Sequence, residues 1–250
     1  MRPRHPTWLA AGLLLAFLAT ACTSPTTGPP AAAPVQRASI YAAIGASETY
    51  GIGASDRYRE AYPQVFYRDV LPPSAVLYNF GIPGATTAEA LRDEVPAALA
   101  VHPTVVTVWL NVNDLLQGVS PQTYAPQLRQ LVQAMRRNAQ ARVLVANMPD
   151  LRQLPAYKAC LPAAPASAPQ CLIPAGLVPS PDQVAAAVDA YNSVITQVAT
   201  EEGATLVDLH AGGALMAQHP EWLSSDGFHP NGLGYAAIAH VFEGAYHRTA

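Results

Sequence analysis

Two hydrophobic rhythms alternate along the chain from residue 39 onward. Short, nearly continuous apolar or β-branched runs at 40–45, 75–79, 104–110, 142–147 and 205–209 read as strands. The run at 104–110 has the composition of a strand buried on both faces. Between the strands lie segments with apolar residues three and four apart, the helical period. These predict helices over 62–71, 87–99, 121–138, 181–200 and 234–246. Leu128, Leu131, Val132 and Met135 mark the inner side of one, and Val184, Val188, Tyr191, Val194 and Ile195 that of another. Pro63 suits the first turn of its helix, whereas Pro96 inside 87–99 predicts a break or kink. Strict β-α alternation with five strands implies an α/β fold. The expected architecture is a three-layer α/β/α sandwich around a five-stranded parallel sheet, flavodoxin-like in organisation. Residues 149–180 carry no periodicity and read as a long irregular loop, a kind that is usually functional or disordered.

The first 38 residues follow neither rhythm. Arg2 and Arg4 precede an apolar stretch of about a dozen residues, too short to span a bilayer by itself. It ends in Leu18-Ala19-Thr20-Ala21-Cys22. Small residues before a cysteine resemble a bacterial lipobox, so 1–21 reads as a lipoprotein signal peptide and Cys22 as the lipidated residue. An ordinary secretory leader with an incidental Cys22 is the alternative. Residues 22–38, rich in Pro, Ala, Thr and Ser, read as a flexible tether, and 39–250 as one domain. The expected location is the cell envelope: exported, with membrane attachment through the anchor alone.

Half of the 250 residues are hydrophobic and 12% are charged, which suits a sizeable core. The net charge of −3 argues against a nucleic-acid partner. Lys158 is the sole lysine and the basic residues are scattered. Cys160 and Cys171 flank a Pro/Ala-rich stretch; in an oxidising compartment a local disulfide is expected, two free thiols being the alternative. No metal-ligand spacing accompanies them.

The chemistry-bearing residues fall after strands. Ser47 follows the first, Asn79-Phe80-Gly81-Ile82-Pro83-Gly84 the second, and Asn111-Val112-Asn113-Asp114 the third. Asp226-Gly227-Phe228-His229-Pro230-Asn231 precedes the last helix. Open α/β sheets bind ligands beyond the carboxyl ends of their strands. Acyl transfer needs a hydroxyl nucleophile, a base, a group that orients the base, and donors for the developing oxyanion. Ser47 supplies the hydroxyl, His229 the base and Asp226 the orienting carboxylate. The Ser47 and Gly84 N–H groups and the Asn113 amide can form the oxyanion hole. Each residue also has a plain reading: Ser47 as a helix cap, Gly84 and Asn113 as turn formers, Asp226 as part of an Asp-Gly turn. Ser55 is a second serine with no strand before it, and His210 and His219 are rival histidines.

Taken in order, the four blocks resemble those of the SGNH (GDSL-like) hydrolases, a family of esterases, lipases and acylhydrolases. Gly45-Ala46-Ser47-Glu48-Thr49-Tyr50-Gly51 matches the family's Gly-Asp-Ser block except at Ala46. Gly84 matches its oxyanion glycine, Asn113-Asp114 its Asn-Asp pair with Asn111 in place of glycine, and Asp226 to His229 its Asp-x-x-His. The resemblance spans roughly residues 40–241. It implies ester hydrolysis through an acyl-enzyme, with no metal or organic cofactor. The substrate would be a small-molecule, glycan or lipid ester. The family aspartate missing at Ala46 is expected to hold the nucleophile loop through hydrogen bonds. An O-acyltransferase, or a binding lipoprotein of the same fold with Ala46 as its support, are the alternatives. A Gly-x-Ser-x-Gly elbow, the mark of the α/β-hydrolase fold, does not occur.

Overall fold

A computed structural model describes residues 39–138, 140–164, 168–171, 173–174, 176–211 and 218–248. Residues 1–38, where the signal peptide, the lipidated Cys22 and the tether are expected, lie outside the described residues. Five strands form one parallel sheet: β1 (Ile40–Gly45), β2 (Val76–Asn79), β3 (Val105–Trp109), β4 (Arg142–Ala146) and β5 (Thr205–Val207). Their spatial order is β2-β1-β3-β4-β5. The β1–β3 register runs from Tyr41 opposite Val105 to Gly45 opposite Trp109. This is the flavodoxin-like order expected from the alternation.

Strand alternation assigns each residue to one of two cores. Ala42, Ile44, Val106, Val108, Val143 and Val145 face one side. There they meet α4 (Thr87–Ala100), α6 (Pro121–Gln133) and α8 (Pro181–Glu201) through Val95, Leu128, Leu131, Val188 and Ile195. Tyr41, Ala43, Val105, Trp109 and Leu144 face the other, against α3 (Tyr62–Val70) and α9 (Gly232–Arg248). On that side Tyr62 stacks on Phe242 with ring centroids 4.6 Å apart. The sheet is therefore covered on both faces, as a parallel sheet requires.

The long helices start where side chains satisfy their free N–H groups. Thr86 with Glu89 and Ser180 with Gln183 form capping boxes before α4 and α8, and Ser120 caps α6. Of the break or kink expected at Pro96, a break does not occur: α4 runs on through the proline. It sits on the exposed face, as does Arg92, so the carbonyl that loses its N–H partner is on the water side. The end predicted for α6 is instead a π-helical turn, Ala134–Asn138. Residues 149–180 are not wholly irregular: a 3₁₀ turn, Leu151–Gln153, and a short helix, α7 (Pro155–Lys158), open the segment. Four further short elements escaped the periodicity: α1 (Ser47–Tyr50), α2 (Arg57–Glu60), α5 (Val112–Leu116) and a 3₁₀ turn, Pro220–Trp222. Each is shorter than two turns and cannot display a period. Among the described residues no helix is long and apolar enough to cross a membrane, and no group of three or more His, Cys, Asp or Glu is placed to hold a metal.

Candidate active site

Ser47 opens α1 directly beyond β1, so its N–H has no acceptor within the helix. Its hydroxyl oxygen lies 2.9 Å from His229 Nε2. His229 Nδ1 lies 2.6 Å from Asp226 Oδ2. Asp226 Oδ1 accepts from Ser224 Oγ at 2.7 Å and from the Phe228 and His229 N–H groups at 2.8 and 2.9 Å. Burial pushes the Asp226 carboxyl up, but the His229 hydrogen bond and the other donors outweigh it and hold the group at about 2. An ionised carboxylate only accepts, so Nδ1 carries the proton and Nε2 is left to accept from Ser47. Three residues, one from the start of α1 and two from the β5–α9 connection, thus form one hydrogen-bonded line.

The other predicted residues, Gly84 and Asn113, follow β2 and β3. Gly84 lies in the β2–α4 connection with φ +84°, a conformation that a side chain would strain. Its N–H makes no hydrogen bond to a described residue. Asn113 lies in α5, and its amide donates to Ala85 O at 3.1 Å, leaving one hydrogen uncommitted. Cross-links lock the three segments in register. Ile82 N–H donates to Gly45 O at 2.9 Å, Asn79 Nδ2 to Thr49 O at 2.7 Å, and Gln117 Nε2 to Gly84 O at 3.3 Å. Cys160 and Cys171 are joined in a disulfide. The rival residues are occupied elsewhere. Ser55 Oγ donates to Glu60, His210 Nδ1 contacts Met148 O at 3.2 Å, and His219 stacks on Trp222.

Three buried carboxyls emerge to which the motifs assigned no role. Glu48 Oε2 lies 3.3 Å from Ser47 Oγ. Glu48 borders a small inner cavity of about 80 Å³ with Trp109, Leu209 and Phe228. Burial there raises its pKa, against the lowering effects of its own backbone and of His229. The Ser47 hydroxyl thus has two acceptors in reach, Glu48 Oε2 at 3.3 Å and His229 Nε2, the nearer, at 2.9 Å. Glu94, on α4 and 1% exposed, accepts from Gly45 N–H at 2.8 Å. It supplies from another element a carboxyl contact to the nucleophile loop, where Ala46 has none to give. Asp114, beside Asn113, accepts from Thr87 N–H and Oγ1 at the start of α4. Burial lifts it to about 6 despite those donors. Only the adjacency of Glu48 to Ser47 and the Asn-Asp pair were visible as sequence signals; nothing marked Glu94.

The sequence pattern of the GDSL-like Lipase/Acylhydrolase family matches residues 43–237. A comparison with curated proteins finds no match. Solved structures share the fold. One is a lipase/acylhydrolase from Enterococcus faecalis, 18% identical over 82% of this chain and 93% of that one, with TM-score 0.60. Another is the psychrotrophic esterase EstA from Pseudoalteromonas sp., 19% identical over 84% and 97%, with TM-score 0.59. A third is the acetyl xylan esterase AlAXEase, 17% identical over 82% and 98%, with TM-score 0.59. The matched span reaches from β1 into α9 and takes in all four motif blocks, and the chain belongs to the GDSL-like lipase/acylhydrolase family.

Proposed function

We propose that the protein is a serine esterase that forms an acyl-enzyme at Ser47. The observation that carries this reading is the unbroken line Ser47–His229–Asp226, with contacts of 2.9 and 2.6 Å. His229 takes the Ser47 proton as the oxygen attacks the ester carbonyl. The oxyanion that forms is held by the Ser47 and Gly84 N–H groups and the free hydrogen of the Asn113 amide. His229 then returns the proton to the departing alcohol. Water, deprotonated by the same imidazole, releases the acid. Asp226 keeps the imidazole in the productive tautomer and stabilises its cation without taking the proton. The chain acts from the cell envelope, exported and lipid-anchored through Cys22. The leader-like composition of residues 1–21 and the small residues before Cys22 support that location.

A fluorophosphonate reacted with the protein isolated from its native envelope tests both parts, with the adduct and the mature N-terminus read by peptide mass. The expected result is a single adduct on Ser47 and a diacylglyceryl-modified Cys22 at the N-terminus. Ser47→Ala should lower turnover of an activated ester by ~10⁴–10⁶. An adduct at Ser55, or hydrolysis undiminished in Ser47→Ala, would overturn the nucleophile assignment. Labelling without hydrolysis, but with acyl transfer to an added alcohol, would make the protein a transferase.

A further inference from the structure

We infer that the cleft leading away from His229, between α5, α8 and the disulfide-closed loop, receives the acyl chain of the ester, and that this chain is a fatty acyl group longer than acetyl. The inference rests on the proposed role of Ser47. The cleft holds about 690 Å³, well within the range of small-molecule sites. Asp226, Phe228 and His229 line it at the candidate active site. Leu115 and Leu116 line it from α5, directly after Asn113. Val184 and Ala187 come from α8, and Ile173 and Leu177 from the loop.

Its chemistry selects against a sugar. Among the described lining residues Asp226 is the one carboxylate and no Lys or Arg is present; its oxygens are taken by His229 and the turn. Gln183 Oε1 is spent on the α8 capping box and the Tyr157 hydroxyl donates to Pro179 O at 2.9 Å, which leaves the Gln183 NH2 and the Gln170 amide as the polar groups the lining offers. A glycan would bring many hydroxyls to a surface with few free partners, each left unmatched at a cost. A methylene chain needs none. The acyl half of the substrate fits better than the alcohol half. It stays bonded to Ser47 through deacylation, and the cleft continues from the α5 residues next to the proposed oxyanion donor.

The wall formed by the loop is built, not draped. Ala156 N–H donates to Gly227 O at 3.0 Å. Gly227, at φ +67°, lets Pro155 and Pro169 approach so closely that a Cβ there would lie 3.0 Å from each. Loop and Asp226–His229 turn are therefore one packed unit, which fixes the cleft relative to the reacting atoms.

The test is two ester series with one protein: p-nitrophenyl acetate through decanoate, and alkyl acetates of growing alcohol length. In the acyl series kcat/KM should rise by up to about fourfold per methylene, equivalent to about 0.8 kcal/mol per buried CH₂, until the cleft is filled. The alkyl acetates should show no such climb. Ala187→Phe, which fills the cleft from α8, should lower octanoate turnover by about tenfold or more and leave acetate nearly unchanged. Leu177→Asp, at an exposed position, gives a second variant that does not depend on core packing. A flat acyl series, or a preference for acetate, with normal fluorophosphonate labelling of Ser47 overturns the acyl cleft and leaves the esterase intact. A climb with alcohol length instead overturns it as well. Absence of both labelling and hydrolysis removes the esterase reading and the cleft's role together.

Discussion

Four donors converge on the two oxygens of Asp226, and that convergence decides how the site responds to acid. Its carboxyl is held at about 2, below the ordinary carboxylate range. A lowered acid contributes its stabilisation above its ordinary pKa and loses it as pH falls through the folded value. Asp226 therefore stays ionised at every pH where esters are normally assayed, and a neutral His229 beside it carries its proton on Nδ1. Asp226→Asn should lower kcat by ~10³–10⁴ with the fold intact, because an amide can donate to Nδ1 and favours the wrong tautomer. Asn113→Ala should lower kcat by ~10²–10³ with KM little changed, the pattern of a contact made mainly in the transition state. Both are read by steady-state kinetics beside circular dichroism; an unchanged kcat removes the assigned role. The Asp226–His229 pair was legible because three-residue spacing within one turn is local. Glu48 and Glu94 were not, because what distinguishes them is burial, and burial is set by packing between elements. Glu94 meets Gly45 across 49 positions of sequence.

Among the elements, the segment between β4 and α8 divides most sharply into what could and could not be read. The Cys160–Cys171 pairing matches the local disulfide expected from the two cysteines' spacing and an expected oxidising compartment. The inner order of the loop was not legible. The Leu151–Gln153 turn and α7 are too short to repeat an apolar face; the turn is capped by Asp150 and buries Leu151 in the core, and α7 is tied to the Asp226 turn through Ala156 N–H and Gly227 O. The same holds for α5, which places Asn113 through the burial of Val112 and the Asp114–Thr87 hydrogen bonds rather than by periodicity. The long helices and all five strands could be read because each displays its period over several residues. In the chain-entropy account, closing a ring of about this size restrains the unfolded chain by about 3 kcal/mol. Replacing both cysteines by serine should lower the urea midpoint accordingly. Because the loop forms one wall of the cleft, it should also raise KM for long-chain esters several-fold while KM for acetate barely moves. Equal effects on both substrates would make the disulfide a general staple with no part in shaping the cleft.

At the scale of the whole molecule, the buried carboxyl of Glu94 should leave its mark on stability. Burial, reinforced by the charge of Asp93, lifts it to about 8 against the hydrogen bond from Gly45 N–H. Its Oε1 has no partner among the described residues. A carboxyl raised by folding gives its full stabilisation below the ordinary carboxylate pKa. As pH climbs from there to about 8, the unfolded chain releases the proton that the folded chain still holds. Stability therefore falls across that window, at most by about 1.4 kcal/mol per pH unit for this one proton. Glu94→Gln keeps the shape and an oxygen to accept from Gly45, but cannot ionise. Urea unfolding from about pH 5 to about pH 9 should show the variant gaining on the parent as pH rises. Asp114, raised to about 6, bends both curves alike and cancels in the difference. Parallel curves would mean that Glu94 does not titrate in that window. Glu94→Leu separates support from charge. It leaves the Gly45 N–H buried without an acceptor, at about 1–3 kcal/mol. Since Gly45 lies two residues before Ser47, it should also slow fluorophosphonate labelling, which the Gln variant should not. If Gln and Leu label at the same rate as the parent, the contact serves the fold alone, and the loop around Ala46 is held by the β1–α1 backbone without help from α4.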